Sequence, residues 1–141
     1  MNHIGLVSQN IKDVAQVFRV LGMDVATEPL PDPRQKVSAS FLEVGHGRDL
    51  HVEILEPTQE DSPIAGFLSK RGGGLHHLCF EVDDIGEASN HLVRHGFKMV
   101  CAPCDCEAYD ESMKRPCSHS SRIAFFLANE RLLLELIEVG Q

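Results

Sequence analysis

Two blocks of the chain repeat the same order of apolar and polar positions. A shift of 74 positions lays His3–Val7 on His77–Glu81, and each segment has the short apolar pattern that predicts a strand. A helical period of apolar residues follows each strand at the same distance. The pattern therefore predicts two modules that each begin with a strand and continue with a helix.

The ends of the two predicted helices carry the same signals. Asn10 and Asp84 suit the N-cap position, because their side chains can accept hydrogen bonds from amides of the first turn. Gly22 and Gly96 suit the position just past the helix, where a left-handed backbone is needed. These shared starts and stops support the repeat more strongly than the apolar strands do.

Each block closes with two apolar segments that predict a β-hairpin. The predicted strands are Val37–Val44 and Leu50–Leu55, with a turn at Gly45–Asp49, and Arg122–Leu127 and Leu132–Val139, with a turn at Ala128–Arg131. The best shift here is 82 positions, so the second block carries a net insertion of eight residues. We expect the insertion in Cys101–Ser121, which shows no clear period.

A short helix is predicted between the two blocks. Ser62 suits its N-cap, Pro63 its first turn, and Gly72–Gly74 its end. We therefore predict an α+β protein with one domain. Its predicted parts are module one at about 1–56, the linker at about 57–74 and module two at about 75–141.

Four chemically active side chains occupy equivalent places in the two blocks, namely His3 with His77 and Glu53 with Glu135. A single strand glutamate usually faces solvent, and a single strand histidine is usually structural. A carboxylate inside a leucine run must nevertheless be paired or metal-bound if it faces the interior. Two imidazoles and two carboxylates suit one divalent ion such as Zn, Ni, Co or Mn. The symmetry of the repeat favours this shared metal site.

The acidic composition narrows the classes of partner. The chain has 13 Lys and Arg residues against 21 Asp and Glu residues, a formal net charge of −8. Such a surface repels phosphate backbones and anionic lipids, so we expect neither a nucleic acid nor a membrane as partner. No apolar run is long enough to span a bilayer, and residues 1–10 lack the pattern of a secretory signal. Five cysteines, an odd number, then predict reduced thiols in a cytoplasmic protein.

Seven segments of the chain form a distinctive set. They are Asp61–Leu68, Lys70–Gly72, Gly74–His77, Phe80–Ile85, the opening His3–Gly5, the run Glu53–Pro57 and the closing Leu134–Leu136. Together these segments resemble methylmalonyl-CoA epimerases. That family belongs to the vicinal oxygen chelate superfamily, together with glyoxalase I and bleomycin-resistance-type proteins. The resemblance covers nearly the whole chain and fails mainly over Cys101–Ser121.

The resemblance implies a fold and a ligand set. The fold is two βαβββ modules whose mixed sheets curl into an open cup around one metal ion. The ligands match the residues that the repeat selected, which are His3, Glu53, His77 and Glu135. His76 is one residue out of phase and is expected to face away from the metal. The resemblance also implies a homodimer.

The implied reaction is epimerisation next to a thioester, through an enolate that the metal stabilises. The family uses two carboxylates as acid and base, and one of them corresponds to Glu135. The other falls on Ala39, so this chain departs from the family at that position. His51 shares the strand face of Glu53, and Glu43 shares that of Ala39, so these two are candidate substitutes.

Two other functions fit the same ligands. One is a glyoxalase-I-like lyase that acts on a hemithioacetal of glutathione. The other is a small-molecule binding or resistance protein without catalysis. A CoA thioester would need basic residues for its phosphates, and Lys70, Arg71, Lys114 and Arg115 are available. The acidic, cysteine-rich stretch 101–121 disfavours CoA, and its four cysteines with His119 form a second possible zinc site.

Overall fold

The computed structural model describes residues 1–23, 27–44, 50–129 and 132–141. These divide into two units, one made of His3–His76 and the other of Met1–Asn2 with His77–Gln141. The predicted turn Gly45–Asp49 and part of the predicted turn Ala128–Arg131 lie outside the described residues. The predicted boundaries of a single domain stay a prediction.

Among its described residues, the first unit holds four strands and two helices. They are β1 (His3–Val7), α1 (Ile11–Val20), β2 (Leu30–Asp32), β3 (Val37–Val44), β4 (Leu50–Pro57) and α2 (Ala65–Arg71). The strands lie in the order β2-β3-β4-β1. β1 runs parallel to β4, and the other pairs are antiparallel.

The second unit repeats this arrangement. Its elements are β5 (Gly74–Glu81), α3 (Ile85–Arg94), β6 (Lys98–Asp105), α4 (Glu107–Ser112), β7 (Arg122–Leu127) and β8 (Leu133–Glu138). The strand order β6-β7-β8-β5 matches that of the first unit, with β5 parallel to β8 and antiparallel pairs elsewhere. The predicted α+β fold of two βαβββ modules is confirmed.

Side chains cap the two long helices as the sequence predicts. The Asn10 carboxamide oxygen accepts a hydrogen bond from the Lys12 amide at 2.9 Å, and the Asp84 carboxylate accepts one from the Glu87 amide at 2.8 Å. The glycines just past these helices have φ angles of +83° and +85°. Within the described ranges, no helix is both long and apolar enough to cross a membrane.

At the start of each long helix, a glutamate from the sheet accepts a further hydrogen bond from the first helical amide. The sequence analysis did not predict this contact. Glu56, near the end of β4, accepts a hydrogen bond from the Ile11 amide at 2.8 Å. Glu138, at the end of β8, accepts the equivalent bond from the Ile85 amide at 2.7 Å. A negative charge at a helix N-terminus is favourable, because the first amides point at it without helical partners. The two modules therefore also share the hydrogen bond that attaches the long helix to the sheet.

Each unit buries the apolar side of its helix against one face of its sheet. In the first unit the buried cluster comprises Ile11, Ala15, Leu42, Val52 and Ile54. In the second it comprises Ile85, Ala124, Phe126 and Leu136. Because side chains alternate across a strand, residues one position away point to the opposite sheet face. That opposite face carries the candidate ligands.

The linker helix begins two residues later than predicted. α2 starts at Ala65 with Ile64 at its N-cap, and the Ser62 side chain makes no capping bond. The Ala65 amide instead bonds to the Ser62 carbonyl oxygen at 3.0 Å, so this amide is already used in a turn that precedes the helix. The predicted end is confirmed, since Gly72 closes the helix with a φ of +73°.

An exposed ion pair connects the β2–β3 turn to the linker. The Lys36 ammonium donates a hydrogen bond to the Asp61 carboxylate. This hydrogen bond and the charge of Lys36 hold the pKa of Asp61 below its usual value. Because both groups are open to solvent, we expect little stability from the pair.

The cysteine-rich stretch folds around one buried carboxylate. Asp110 in α4 accepts hydrogen bonds from the Ser121 amide at 2.7 Å and the Ser121 hydroxyl at 2.6 Å. That hydroxyl in turn accepts a bond from the Gly140 amide at 2.8 Å. A Cβ at Gly140 would lie 2.2 Å from the His119 carbonyl oxygen, so only glycine fits. Among the described residues of the first unit, α4 has no counterpart, in agreement with the predicted insertion.

Candidate metal centre

The first candidate pair lies on neighbouring parallel strands of the first unit. His3 opens β1, and Glu53 lies in β4, two residues beyond the register partner of His3. The His3 Nε2 atom is 3.5 Å from a carboxylate oxygen of Glu53. His3 is only 1% exposed, so its ring is almost fully removed from water. The chain thus holds an imidazole and a carboxylate together on the sheet face opposite α1.

The second unit places an equivalent pair in the same way. His77 lies in β5 and Glu135 in β8, and these strands are again parallel neighbours. The His77 Nε2 atom is 3.1 Å from a carboxylate oxygen of Glu135. Both side chains are buried, with His77 2% exposed. Sequence equivalence between the two blocks therefore corresponds to equivalent local geometry.

The donor sets of both pairs fit a divalent cation. Each of the four side chains offers one atom of a kind that binds metal ions. Nitrogen and oxygen ligands about 2.1 Å from one ion and at right angles to each other lie about 3 Å apart. The 3.5 Å and 3.1 Å separations are close to that value. Each pair can therefore present two adjacent ligands with little movement.

A phenylalanine accompanies each pair, and the sequence analysis missed both. Phe41 lies opposite Glu53 in the β3–β4 ladder, and its ring meets that of His3 edge-on, with centroids 5.6 Å apart. Phe125 lies opposite Glu135, and its ring meets that of His77 edge-on at 5.8 Å. These rings restrict the imidazoles and cover them with apolar surface. A shift of 84 positions between β3 and β7 relates them, two more than the shift that aligns the glutamates.

The two proposed substitutes for the missing carboxylate lie opposite each other. Glu43 in β3 is in register with His51 in β4, and both are partly exposed. The His51 ring meets that of Phe41 edge-on at 6.4 Å, as expected for residues on the same face. Ala39 is buried opposite Leu55 and carries no ionisable group.

His76 has a structural environment different from that of the ligand candidates. Its ring meets the Phe67 ring of α2 edge-on, with centroids 4.9 Å apart. Strand alternation places neighbouring side chains on opposite faces. His76 is therefore a suitable control for experiments on His77.

The cysteine-rich stretch does not gather a second set of ligands. Among the described residues, its thiols and His119 do not form a group of three or more potential metal ligands. Cys106 is buried, and the Cys117 thiol lies 3.6 Å from the Asp110 carboxylate. Both cysteines are free thiols, as predicted.

Two of the basic residues considered for an anionic ligand have contacts within the protein. The Arg71 guanidinium lies 5.3 Å from the centroid of the Phe67 ring. The Arg115 guanidinium donates a hydrogen bond of 3.4 Å to the Gly140 carbonyl oxygen. Lys70 and Lys114 are exposed.

The sequence of the chain matches the model of a known protein family. A model described as the Glyoxalase/Bleomycin resistance protein/Dioxygenase superfamily matches residues 2–114. The chain belongs to this superfamily. The affiliation predicted from the sequence resemblance is thereby confirmed, and the relatives identify the branch that the chain resembles.

Several of those relatives are named as epimerases. The chain is 40% identical over 90 residues to the mitochondrial methylmalonyl-CoA epimerase of Bos taurus, covering 62% of the chain and 49% of that protein. It is 34% identical over 102 residues to the ethylmalonyl-CoA/methylmalonyl-CoA epimerase of Cereibacter sphaeroides, covering 71% and 73%. The chain spans about half the length of the mammalian relatives that it matches.

Solved structures share the fold over the whole chain. A hypothetical protein from Bacillus halodurans has a TM-score of 0.81 at 30% identity and covers 100% of this chain and 94% of its own. A Streptomyces coelicolor methylmalonyl-CoA epimerase in complex with 2-nitronate-propionyl-CoA has a TM-score of 0.80 at 23% identity, covering 100% and 97%. The likeness to the Streptomyces coelicolor structure shows a shared fold.

Proposed function

We propose that the chain is a divalent-metal-dependent epimerase of a methylmalonyl-CoA-like thioester. The observation that carries the proposal is the duplicated pair of a buried histidine and a glutamate, with 3.5 Å and 3.1 Å separations. The relatives that are named as epimerases of methylmalonyl-CoA and ethylmalonyl-CoA supply the substrate class.

The proposed ligands of one shared ion are His3, Glu53, His77 and Glu135. Each module contributes one nitrogen and one oxygen donor, which together suit Zn, Ni, Co or Mn. A bound ion of this kind would act as a Lewis acid toward negative charge that develops on the thioester oxygen. The two imidazoles are almost fully buried, and the rings of Phe41 and Phe125 contact them edge-on, which favours fixed orientations of the proposed ligands.

Glu135 is the proposed base for one face of the substrate. Its carboxylate is buried, with Phe125 and Cys79 as its partners on the two adjacent strands. This carboxylate lies 3.1 Å from the His77 Nε2 atom and is largely removed from water, so it has few water molecules to displace before it accepts a proton. Glu135 would thus take the proton from the carbon next to the thioester.

His51 is the proposed acid–base group for the other face, with Glu43 as its positioning residue. This assignment replaces the family carboxylate that would fall at Ala39. The register that pairs Glu43 with His51 places an acceptor beside the imidazole, and such a partner favours one tautomer and orientation of the ring. Both residues are partly exposed and can exchange protons with solvent.

The test is exchange of the substrate proton in heavy water. The metal-reconstituted protein is incubated with methylmalonyl-CoA in D₂O, and deuterium at the α-carbon is followed by NMR. We expect exchange with the wild type, and losses of both metal content and exchange in His77→Ala. His76→Ala is the matched control and is expected to keep both properties.

Three outcomes would contradict the proposal in different ways. A protein that binds metal but turns over only a glutathione hemithioacetal would be a lyase. One that binds metal and turns over neither substrate would be a binding module. A wild type without bound metal would remove the proposed centre itself. The homodimer and the cytoplasmic location predicted from the sequence stay predictions.

A further inference from the structure

A second group of imidazoles lies on α3, outside the proposed centre. His91 is in the last turn of the helix and His95 is its C-cap, four residues later. Residues four apart lie on the same side of a helix, and the two ring centroids are 4.3 Å apart. Both residues are exposed, while the buried side of this helix is formed by Ile85 and Ser89. The two rings are therefore adjacent and open to solvent.

A backbone contact fixes the orientation of one ring. The His95 Nδ1 atom lies 2.9 Å from the His91 carbonyl oxygen. Because a carbonyl oxygen only accepts hydrogen bonds, Nδ1 must carry the proton in this contact. In the neutral ring the lone pair is then on Nε2, at the opposite edge. Histidines that bind metals commonly have this arrangement, with one nitrogen bonded to the backbone and the other available as the ligand.

The surrounding charge also favours a cation. The end of a helix carries a partial negative charge from its last carbonyl groups. Glu87 lies on the same helical stripe, four residues before His91. The chain as a whole has a formal net charge of −8. The positive charge of Arg94 lies on the same turn but not on this stripe.

We propose that His91 and His95 chelate one transition-metal cation of the Cu²⁺, Ni²⁺ or Zn²⁺ class. The two imidazole nitrogens would occupy adjacent positions on the ion, and water would complete its coordination. Imidazole is a good ligand for these ions, and Cu²⁺ has the highest affinity among them. This surface chelate is independent of the proposed epimerase centre, because it uses none of the same residues.

The equivalent helix of the first module offers an internal comparison. The shift of 74 positions places Val17 and Leu21 of α1 on His91 and His95. Val17 is 59% exposed and Leu21 is 67% exposed. Leu21 is the C-cap of α1, with φ and ψ of −81° and 5°, close to the −93° and 12° of His95. The two helix ends thus share a backbone geometry and differ in their ability to bind a metal.

The test counts bound Cu²⁺ by equilibrium dialysis with Cu²⁺ alone as the probe. We expect His91→Ala and His95→Ala each to lose one equivalent relative to the wild type. His119→Ala removes another exposed histidine and is expected to lose none. Low-temperature electron paramagnetic resonance should show a Cu²⁺ component with two imidazole nitrogens, separate from Cu²⁺ at the proposed centre, and only this component should disappear in the first two variants. Metal at the proposed centre is expected to remain unchanged in all three.

A gain-of-binding variant keeps the test independent of any loss of folding. The double substitution Val17→His with Leu21→His should add one Cu²⁺ equivalent to the wild-type number. The proposal is wrong if His91→Ala and His95→Ala retain the wild-type number of equivalents. It is equally wrong if they lose no more than His119→Ala does.

Discussion

The two modules have the same arrangement of candidate ligands and differ in the polarity of the adjacent strand positions. In the first module, His51 of β4 is in register with His3, and Glu43 of β3 is in register with His51. In the second, Leu133 and Leu127 take the equivalent places beside His77. An ionisable pair in one module therefore corresponds to an apolar pair in the other.

This difference corresponds to two requirements of the proposed chemistry, which are metal binding and proton transfer. A shared ion needs donors from both modules, so the histidine and glutamate are present in each. A proton shuttle made from His51 and Glu43 is needed on one side only, because Glu135 is the proposed base on the other. The first module would then both bind the metal and move a proton through a residue that is not a ligand.

The largest expected effect comes from replacing Glu135 by glutamine, with the same change at Glu53 as its counterpart in the other module. Glu135→Gln should lower the rate of α-proton exchange by about 10² to 10⁴, because an amide cannot accept the proton. Glu53→Gln should keep most of the rate, since an amide oxygen can still bind the metal. Exchange rates by NMR and metal content would be measured for both, with Glu138→Gln as a control in β8. Equal losses in both variants would mean that Glu135 has no role beyond that of a metal ligand such as Glu53.

The next effect tests the polar pair directly. His51→Leu gives the first module the residue type found in the second and should lower the exchange rate by about 10². Metal content should stay at the wild-type value, because His51 is not among the proposed ligands. Leu133→Met is the matched control and should leave the rate unchanged. An unaltered rate in His51→Leu would exclude it as an acid–base group.

A smaller effect is expected where the insertion is attached. Gly140→Ala should lower the free energy of unfolding by about 1–3 kcal/mol, because its Cβ would overlap the His119 carbonyl oxygen. The equivalent residue of the first module is the exposed Thr58, where Thr58→Ala should have little effect. Urea denaturation of both variants measures the difference. A tolerated Gly140→Ala would mean that this close approach relaxes at little cost.

The smallest effect concerns the helix starts and should be equal in both modules. Glu56→Gln and Glu138→Gln each remove a negative charge beside the first amide of a helix. We expect each to lower the free energy of unfolding by about 0.3–1 kcal/mol. Chemical denaturation would measure this at low ionic strength, where the charge is least screened. Unequal losses would show that the modules attach their helices with different strength.

Local signals were sufficient for the modules and for the choice of candidate ligands. Asn10, Asp84, Gly22 and Gly96 act through neighbouring backbone groups, so their positions in the sequence determine their roles. The equivalence of the histidines and glutamates followed from the repeat. Their distances within each module required the strand register, which the sequence indicates only indirectly.

Contacts between distant segments could not be predicted in the same way. Phe41 and Phe125 were missed because the two hairpins differ by two residues in length, so no single shift aligns them and the glutamates. The bonds from Asp110 to Ser121 depend on how an aperiodic segment folds back. Ser62 has the residue type of a cap, but a competing turn uses the amide that it would have bonded.

The imidazole pair at the end of α3 also has a practical consequence for handling the protein. A chromatography resin charged with Ni²⁺ should retain the chain without any added tag and release it when free imidazole is supplied. A variant in which His91→Val and His95→Leu give α3 the residues found at the end of α1 should lose this retention.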